Sequence, residues 1–267
     1  MKIIKKILKW LLISFGSLVV IVIILAIVYN QLFFALLAGI GSMDMYNGNN
    51  ERGNKIINYA ISKIDKPSGE TYHSLSVQNT KNGNYNIAIP ALEKAMQLEP
   101  EEVSSYYGWV LLYYYHDYEK ALTVLEQCDS YTPNFSDAPV GEDIHYLKGL
   151  CHMQLGRYQK AVDEFDTYIN NLAATHGEDF VNVYTFVQKG RCLAELEQYD
   201  QAINAYNKAI KYYDNCTEAY YFMGVTQLKI NEKEGACTSF NTALNLMQKG
   251  SKSADTYVEY FHEIYQQ

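Results

Sequence analysis

No side chain from Trp10 to Met43 carries a charge, and the most apolar stretch, Ile7–Tyr29, contains the unbroken aliphatic run Leu18–Leu25. A hydrocarbon core of about 30 Å takes about 20 helical residues. Residues 1–30 are therefore expected to form a basic flank and one transmembrane helix, touching the membrane through residues 7–29. A cleaved signal peptide has an apolar core of only about 7–15 residues, shorter than this one. One straight helix as far as Met43 would outrun a bilayer at about 1.5 Å per residue. Gln31–Ser42, with Phe33, Phe34, Leu36, Leu37 and Ile40, is therefore expected to form a separate membrane-proximal helix. After it, Asn54–Ile64 has helical period and stops before Pro67. At the far end, Ala254, Tyr257, Val258, Phe261 and Ile264 share one face of a predicted amphipathic helix.

Between these ends the apolar pattern repeats itself. The segments Tyr85–Ala88, Tyr118–Ala121, Tyr158–Ala161, Tyr199–Ala202 and Lys233–Ala236 align on their alanines, and all but the last read Tyr-x-x-Ala. Four residues beyond each alanine stands a large side chain: Leu92, Leu125, Phe165, Tyr206 or Phe240. Upstream, on a preceding helical stretch, a small residue recurs as Ser76, Gly108, Gly149, Gly190 and Gly224. The two longer intervals between alanines hold turn-forming segments, Ser130–Asp143 and Ala173–Asp179, and the second unit is one residue short at His116–Asp117.

These offsets resemble those of the tetratricopeptide-repeat (TPR) family, whose unit of about 34 residues is a pair of antiparallel helices, A then B. The resemblance covers roughly Gly69–Met247. It implies an all-α fold, a TPR helical-hairpin solenoid wound as a right-handed superhelix, preceded by the one transmembrane helix. Five units are expected over 68–250, at about 69–101, 102–134, 142–175, 183–216 and 217–249. Residues 31–67 supply the membrane-proximal helix and a partial TPR-like unit, and 251–267 a C-terminal capping helix.

In TPR proteins the A helices line a concave groove. The resemblance implies Glu70, His73, Val77, Thr80 and Lys81 as partner-facing in the first unit, and Ser105, Trp109, Leu112 and Tyr113 in the second. The third offers Tyr146, Leu150, Met153 and Gln154, and the fourth Tyr184, Val187, Arg191 and Glu195. Tyr221, Val225, Leu228 and Lys229 complete the set. Some TPR proteins hold a terminal carboxylate with a clamp of Lys, Asn and Arg. Here the Lys and Asn positions read His73 and Val77, Tyr146 and Leu150, or Tyr221 and Val225, so the clamp is missing. What remains is an aromatic and aliphatic groove with one arginine, suited to a protein or peptide partner.

Charge changes this picture in two ways. Lys2, Lys5, Lys6 and Lys9 precede the apolar run, while its other flank is balanced by Asp44, Glu51, Arg52 and Lys55. The more basic flank stays in the cytoplasm. This predicts a single-pass protein of a bacterial inner membrane, N-terminus cytoplasmic, with the repeats periplasmic or extracellular. Of the 22 basic residues 18 lie beyond these four lysines, against all 30 acidic ones, so the remainder has a net charge of −12, which argues against nucleic acid as a partner. The 5 cysteines form no C-x-x-C pair, which points to small buried helix residues rather than to disulfides or zinc. His145 and His152, two helical turns apart, are too distant to share a metal without further ligands. No catalytic, phosphate-binding or dinucleotide motif occurs, so neither an enzyme, a cofactor nor a metal is expected. The expectation is a membrane-anchored interaction scaffold of an envelope complex serving secretion, assembly or a chaperone. The alternatives are a cytosol-facing import or trafficking receptor, an accessory domain of an enzyme complex, or self-association.

Overall fold

The computed structural model describes residues 2–133 and 135–249, and the side chains of these except at 2–15, 22 and 25–28. The expected capping helix at 251–267 lies outside the described residues. Every regular element among them is helical. In chain order these are α1 (Lys2–Tyr46), α2 (Asn50–Ile61), α3 (Gly69–Lys81), α4 (Tyr85–Leu98), α5 (Pro100–Val110) and α6 (Tyr118–Tyr131). There follow α7 (Ile144–Gln154), α8 (Tyr158–Thr175), α9 (Val183–Glu195), α10 (Tyr199–Tyr212), α11 (Thr217–Lys229) and α12 (Lys233–Gln248). The chain divides into two compact units, one ending at Val103 and one starting at Ser104.

In the first unit the N-terminal expectation is corrected. Among the described residues no helix is long and apolar enough to cross a membrane. The single-pass placement, with its cytoplasmic N-terminus and periplasmic repeats, falls with the span. The apolar run does not end near residue 30 to leave a separate membrane-proximal helix, because α1 continues unbroken to Tyr46. Its C-terminal half is committed to protein packing. Phe34 and Ala38 are buried with Ala60 of α2, and Met45 with Ile57, Leu75 and Ala91. Gly41 and Gly53 lie so close that a Cβ on Gly41 would stand 2.9 Å from the Gly53 carbonyl oxygen. The Asp44 carboxylate accepts from Arg52 and Asn49 at the turn, and the guanidinium bond lowers its pKa. Leu32, Phe33, Leu36 and Ile40 remain exposed on the opposite face. A reciprocal amide pair, Asn79 Nδ2 to Asn54 Oδ1 at 2.7 Å and Asn54 Nδ2 to Asn79 Oδ1 at 2.9 Å, ties α2 to α3.

In the second unit α7–α8, α9–α10 and α11–α12 form antiparallel hairpins, each packed on the next. The small-and-large pairing legible in the sequence is the point of closest approach. A Cβ on Gly108 would meet Leu125 Cδ2 at 2.7 Å, one on Gly149 would meet Phe165 Cε1 at 2.5 Å, and one on Gly224 would meet Phe240 Cε1 at 2.9 Å. Gly190 stands against Tyr206 in the same way. Within each turn one residue takes a left-handed conformation: Gly156, Glu197 and Asn231 sit in the middle of three-residue turns. The second hairpin, one residue shorter, turns through His116 at φ 54 after α5 opens into a π turn at Leu111–Tyr115. The chain absorbs the missing residue there by widening the helix end. Lys148 of α7, its side chain only 9% exposed, reaches Asp129 of α6 at 3.0 Å and Glu164 of α8 at 3.6 Å, neutralising a buried cation between hairpins.

Gly149→Ala and Gly224→Ala differ in a measurable way. Alanine gains about 1 kcal/mol of helix propensity over glycine, while overpacking a filled core costs about 1–3 kcal/mol. Phe165 is fully buried and Phe240 only partly so. Gly149→Ala is expected to lower the denaturation free energy by about 1–2 kcal/mol, and Gly224→Ala to stay near neutral. Equal losses in urea unfolding would show that ring burial does not set the cost.

Candidate partner-binding groove

The expected groove residues do not share one environment. His73 and Val77 are half-buried on α3, in the first unit. In the second unit they fall into a closed part and an open part. Trp109, on α5, is 8% exposed and stacks at 6.2 Å on Tyr106, with Tyr113 at 5.4 Å and Tyr114 at 5.5 Å. Leu112, Tyr113, Tyr146, Leu150, Met153 and Val187 are buried too, and Tyr146 contacts Phe165 and Tyr168. These side chains fill the space between hairpins, as aromatic and aliphatic helix residues do in any core.

The closed part carries a polar latch that nothing in the sequence pattern announced. Trp109 Nε1–H donates to Glu142 Oε2 at 2.9 Å, and the Tyr113 hydroxyl donates to Glu142 Oε1 at 3.1 Å. Burial first, then the neighbouring Tyr146 and Glu142, push the Tyr113 hydroxyl well above its ordinary pKa, so it stays a donor. Glu142 belongs to the connection between α6 and α7. There Val140 stands at φ 55, a costly conformation for a β-branched residue. The Asp143 side chain accepts from the His145 N–H at the start of α7 and bonds Ser136 Oγ, at 2.8 and 2.7 Å.

The open part lies further along the chain. A cavity of about 330 Å³ is lined by α7, α8, α9, α10 and α11. Six of its residues are expected groove positions from three successive A helices: Met153 and Gln154, Arg191 and Glu195, Val225 and Lys229. The guanidinium carbon of Arg191 lies 4.6 Å from the Phe222 ring centroid, and its Nη1 donates to Gln188 Oε1 at 2.7 Å. Burial draws the Arg191 pKa down, the mark of a poorly hydrated cation. Cys192, beneath it, is pushed up to about 12 by burial and is therefore a thiol. At the rim Lys229 Nζ reaches Glu195 Oε1 at 2.9 Å. Tyr184 and Tyr221 are half-buried outside the cavity lining, and Leu228 is 52% exposed. Phe222 and Tyr206 line the cavity although the ligand-facing offsets mark neither, Tyr206 being marked only as the large packing residue of its hairpin.

Replacing Glu142 tests the latch. In a Trp10→Phe background, which leaves Trp109 as the single indole of the 2 in the chain, Glu142→Ala is expected to red-shift Trp109 emission. It should also cost about 1–3 kcal/mol of stability, since two donors lose a charged acceptor. Unchanged emission together with unchanged unfolding would dismiss the latch.

Comparison with known proteins agrees with this architecture. Residues 81–168 match the family described as anaphase-promoting complex, cyclosome, subunit 3. Residues 183–216, the span expected for the fourth unit, match the tetratricopeptide repeat itself. No curated protein matches the chain significantly. Among solved structures, MamA 41-end from Desulfovibrio magneticus RS-1 is similar with a TM-score of 0.57 and 18% identity, covering 68% of this chain and 96% of that one. Two further MamA crystal structures, each 19% identical, have TM-scores of 0.54 and 0.53. They cover 72% and 66% of this chain and 98% and 96% of their own. At these identities the likeness is one of fold. Residues 183–216, the α9–α10 hairpin, thus carry a tetratricopeptide repeat, and 68% of the chain shares the fold of that solved structure.

Proposed function

We propose that the protein is a non-catalytic interaction scaffold that binds a segment of a partner protein on the A-helix face of α7, α9 and α11. One observation carries this reading. The cavity collects six of the positions that the repeat resemblance assigns to a ligand, from three consecutive hairpins, beside the rings of Tyr206 and Phe222 and the Lys229–Glu195 pair. A preformed concave site with a few convergent polar groups is what a bound segment requires. The TPR match on α9–α10 supports the same class of role. The closed part, from Trp109 to Leu150, serves this reading as a rigid wall.

Filling the cavity tests the proposal without touching its charges. Val225→Trp, at a half-buried wall position, should remove more than about nine-tenths of partner recovery in quantitative crosslinking of the full chain. Asn204→Ala, on the exposed face of α10, should leave recovery intact. If both variants recover the same partners in the same amounts, the groove is not the binding surface.

A further inference from the structure

We infer that the cavity receives one side-chain carboxylate, from an Asp or Glu set among apolar residues of the partner segment, with Arg191 as its receptor. The inference rests on the groove reading above and names the chemistry that the site selects. Arg191 is oriented before any ligand arrives: Gln188 Oε1 at 2.7 Å and the face of Phe222 at 4.6 Å hold the guanidinium plane. A planar fork held in this way suits a carboxylate better than a point charge does. Met153, Ala194, Phe222 and Val225 line the same cavity, beside polar Gln154 and Thr226, and offer apolar contact for a methylene stem near the cation.

Charge count limits the ligand further. The lining holds two cations, Arg191 and Lys229, and one carboxylate, Glu195, which pairs with Lys229 at 2.9 Å and also acts on Arg191, so its formal excess is one positive charge. A phosphoryl group near −2 would meet Glu195 at the rim, and a run of acids would meet a chain of net charge −8. One negative charge is what the site accommodates. The α5–α6–α7 region of the same unit already seats a carboxylate of this kind, since Glu142 lies on the donors of Trp109 and Tyr113. A chain terminus is the poorer occupant, because the Lys and Asn clamp positions here read Tyr146, Leu150, Tyr221 and Val225.

The probe is an array of random heptapeptides, acetylated and carboxamide-capped, with a second array bearing free C-termini. The full chain should select capped peptides with a single Asp or Glu between apolar residues. Replacing that acid with Asn or Gln should weaken binding about tenfold or more. Arg191→Met should abolish the preference for acid over amide while retaining apolar binding, and Arg191→Lys should keep part of it. Because the acid-to-amide exchange is made in the peptide, it reads the chemistry whatever the variants do to folding. Selection blocked by Val225→Trp but indifferent to acid or amide, or unchanged in Arg191→Met, overturns this inference and leaves the groove intact. Selection confined to free C-termini overturns it in favour of a terminal clamp. Peptides that bind equally well to Val225→Trp, or no selection on either array, overturn both readings.

Discussion

The hairpins of the second unit close where an A helix presents a hydrogen atom and a B helix presents a ring or a leucine. At Gly108 against Leu125, Gly149 against Phe165, Gly190 against Tyr206 and Gly224 against Phe240 a methyl group would come within 3 Å of the facing side chain, which would have to shift. Since these contacts fix which side of each A helix faces its own B helix, they also fix what the other sides do. Consecutive helix residues are about 100° apart, so the residue after each glycine turns off the hairpin contact. Those residues are Trp109, Leu150, Arg191 and Val225. Residues three and four further on fall on the same face, which brings Met153, Gln154, Glu195 and Lys229 round to the cavity. The cavity face is thus a geometric consequence of the glycine contact, and its chemistry is left to the individual units.

That dependence explains what the sequence made legible. Register, helix pairing and the ligand-facing offsets all follow from a contact between two residues of one hairpin, so a single aligned phrase reveals them. What each face meets depends on distant partners. Leu150 and Val187 stand at ligand-facing offsets yet are buried against neighbouring hairpins. Glu142 sits in a turn-rich segment whose composition signals a loop and nothing about its acceptors. Phe222 was hidden beside Tyr221 because its role depends on where the α9 guanidinium lies.

The N-terminal helix shows the opposite weakness. Hydropathy averages over all faces of a helix, and α1 is apolar on faces with different fates. Phe34, Ala38, Gly41 and Met45 recur at spacings of four, three and four, a packing stripe against α2 that a window average does not separate from its surroundings. The Asp44–Arg52 pair and the Gly41–Gly53 approach mark the same segment as half of a helical hairpin. Residues 31–42 do pair with the helix that follows, but as part of the long helix α1 rather than as a separate one.

Two cations in the second unit illustrate how burial separates structure from recognition. Lys148 is surrounded by carboxylates from both neighbouring helices, Asp129 and Glu164, with His145 on the same Glu164. Its desolvation is offset within the fold, and removing either side would strand a charge in a poorly hydrated place. Arg191 is likewise withdrawn from water, but it lines a cavity and is aligned by an amide oxygen and a ring face. A lysine ammonium is a compact charge that several carboxylates can surround, whereas a guanidinium held flat offers a fork in one plane. The first arrangement knits hairpins together. The second gives a direction to whatever enters the cavity, because an acceptor gains most when it lies in the plane that Phe222 and Gln188 define. Orientation of the bound segment would then come from one arginine, and the apolar walls would supply the remaining contact area.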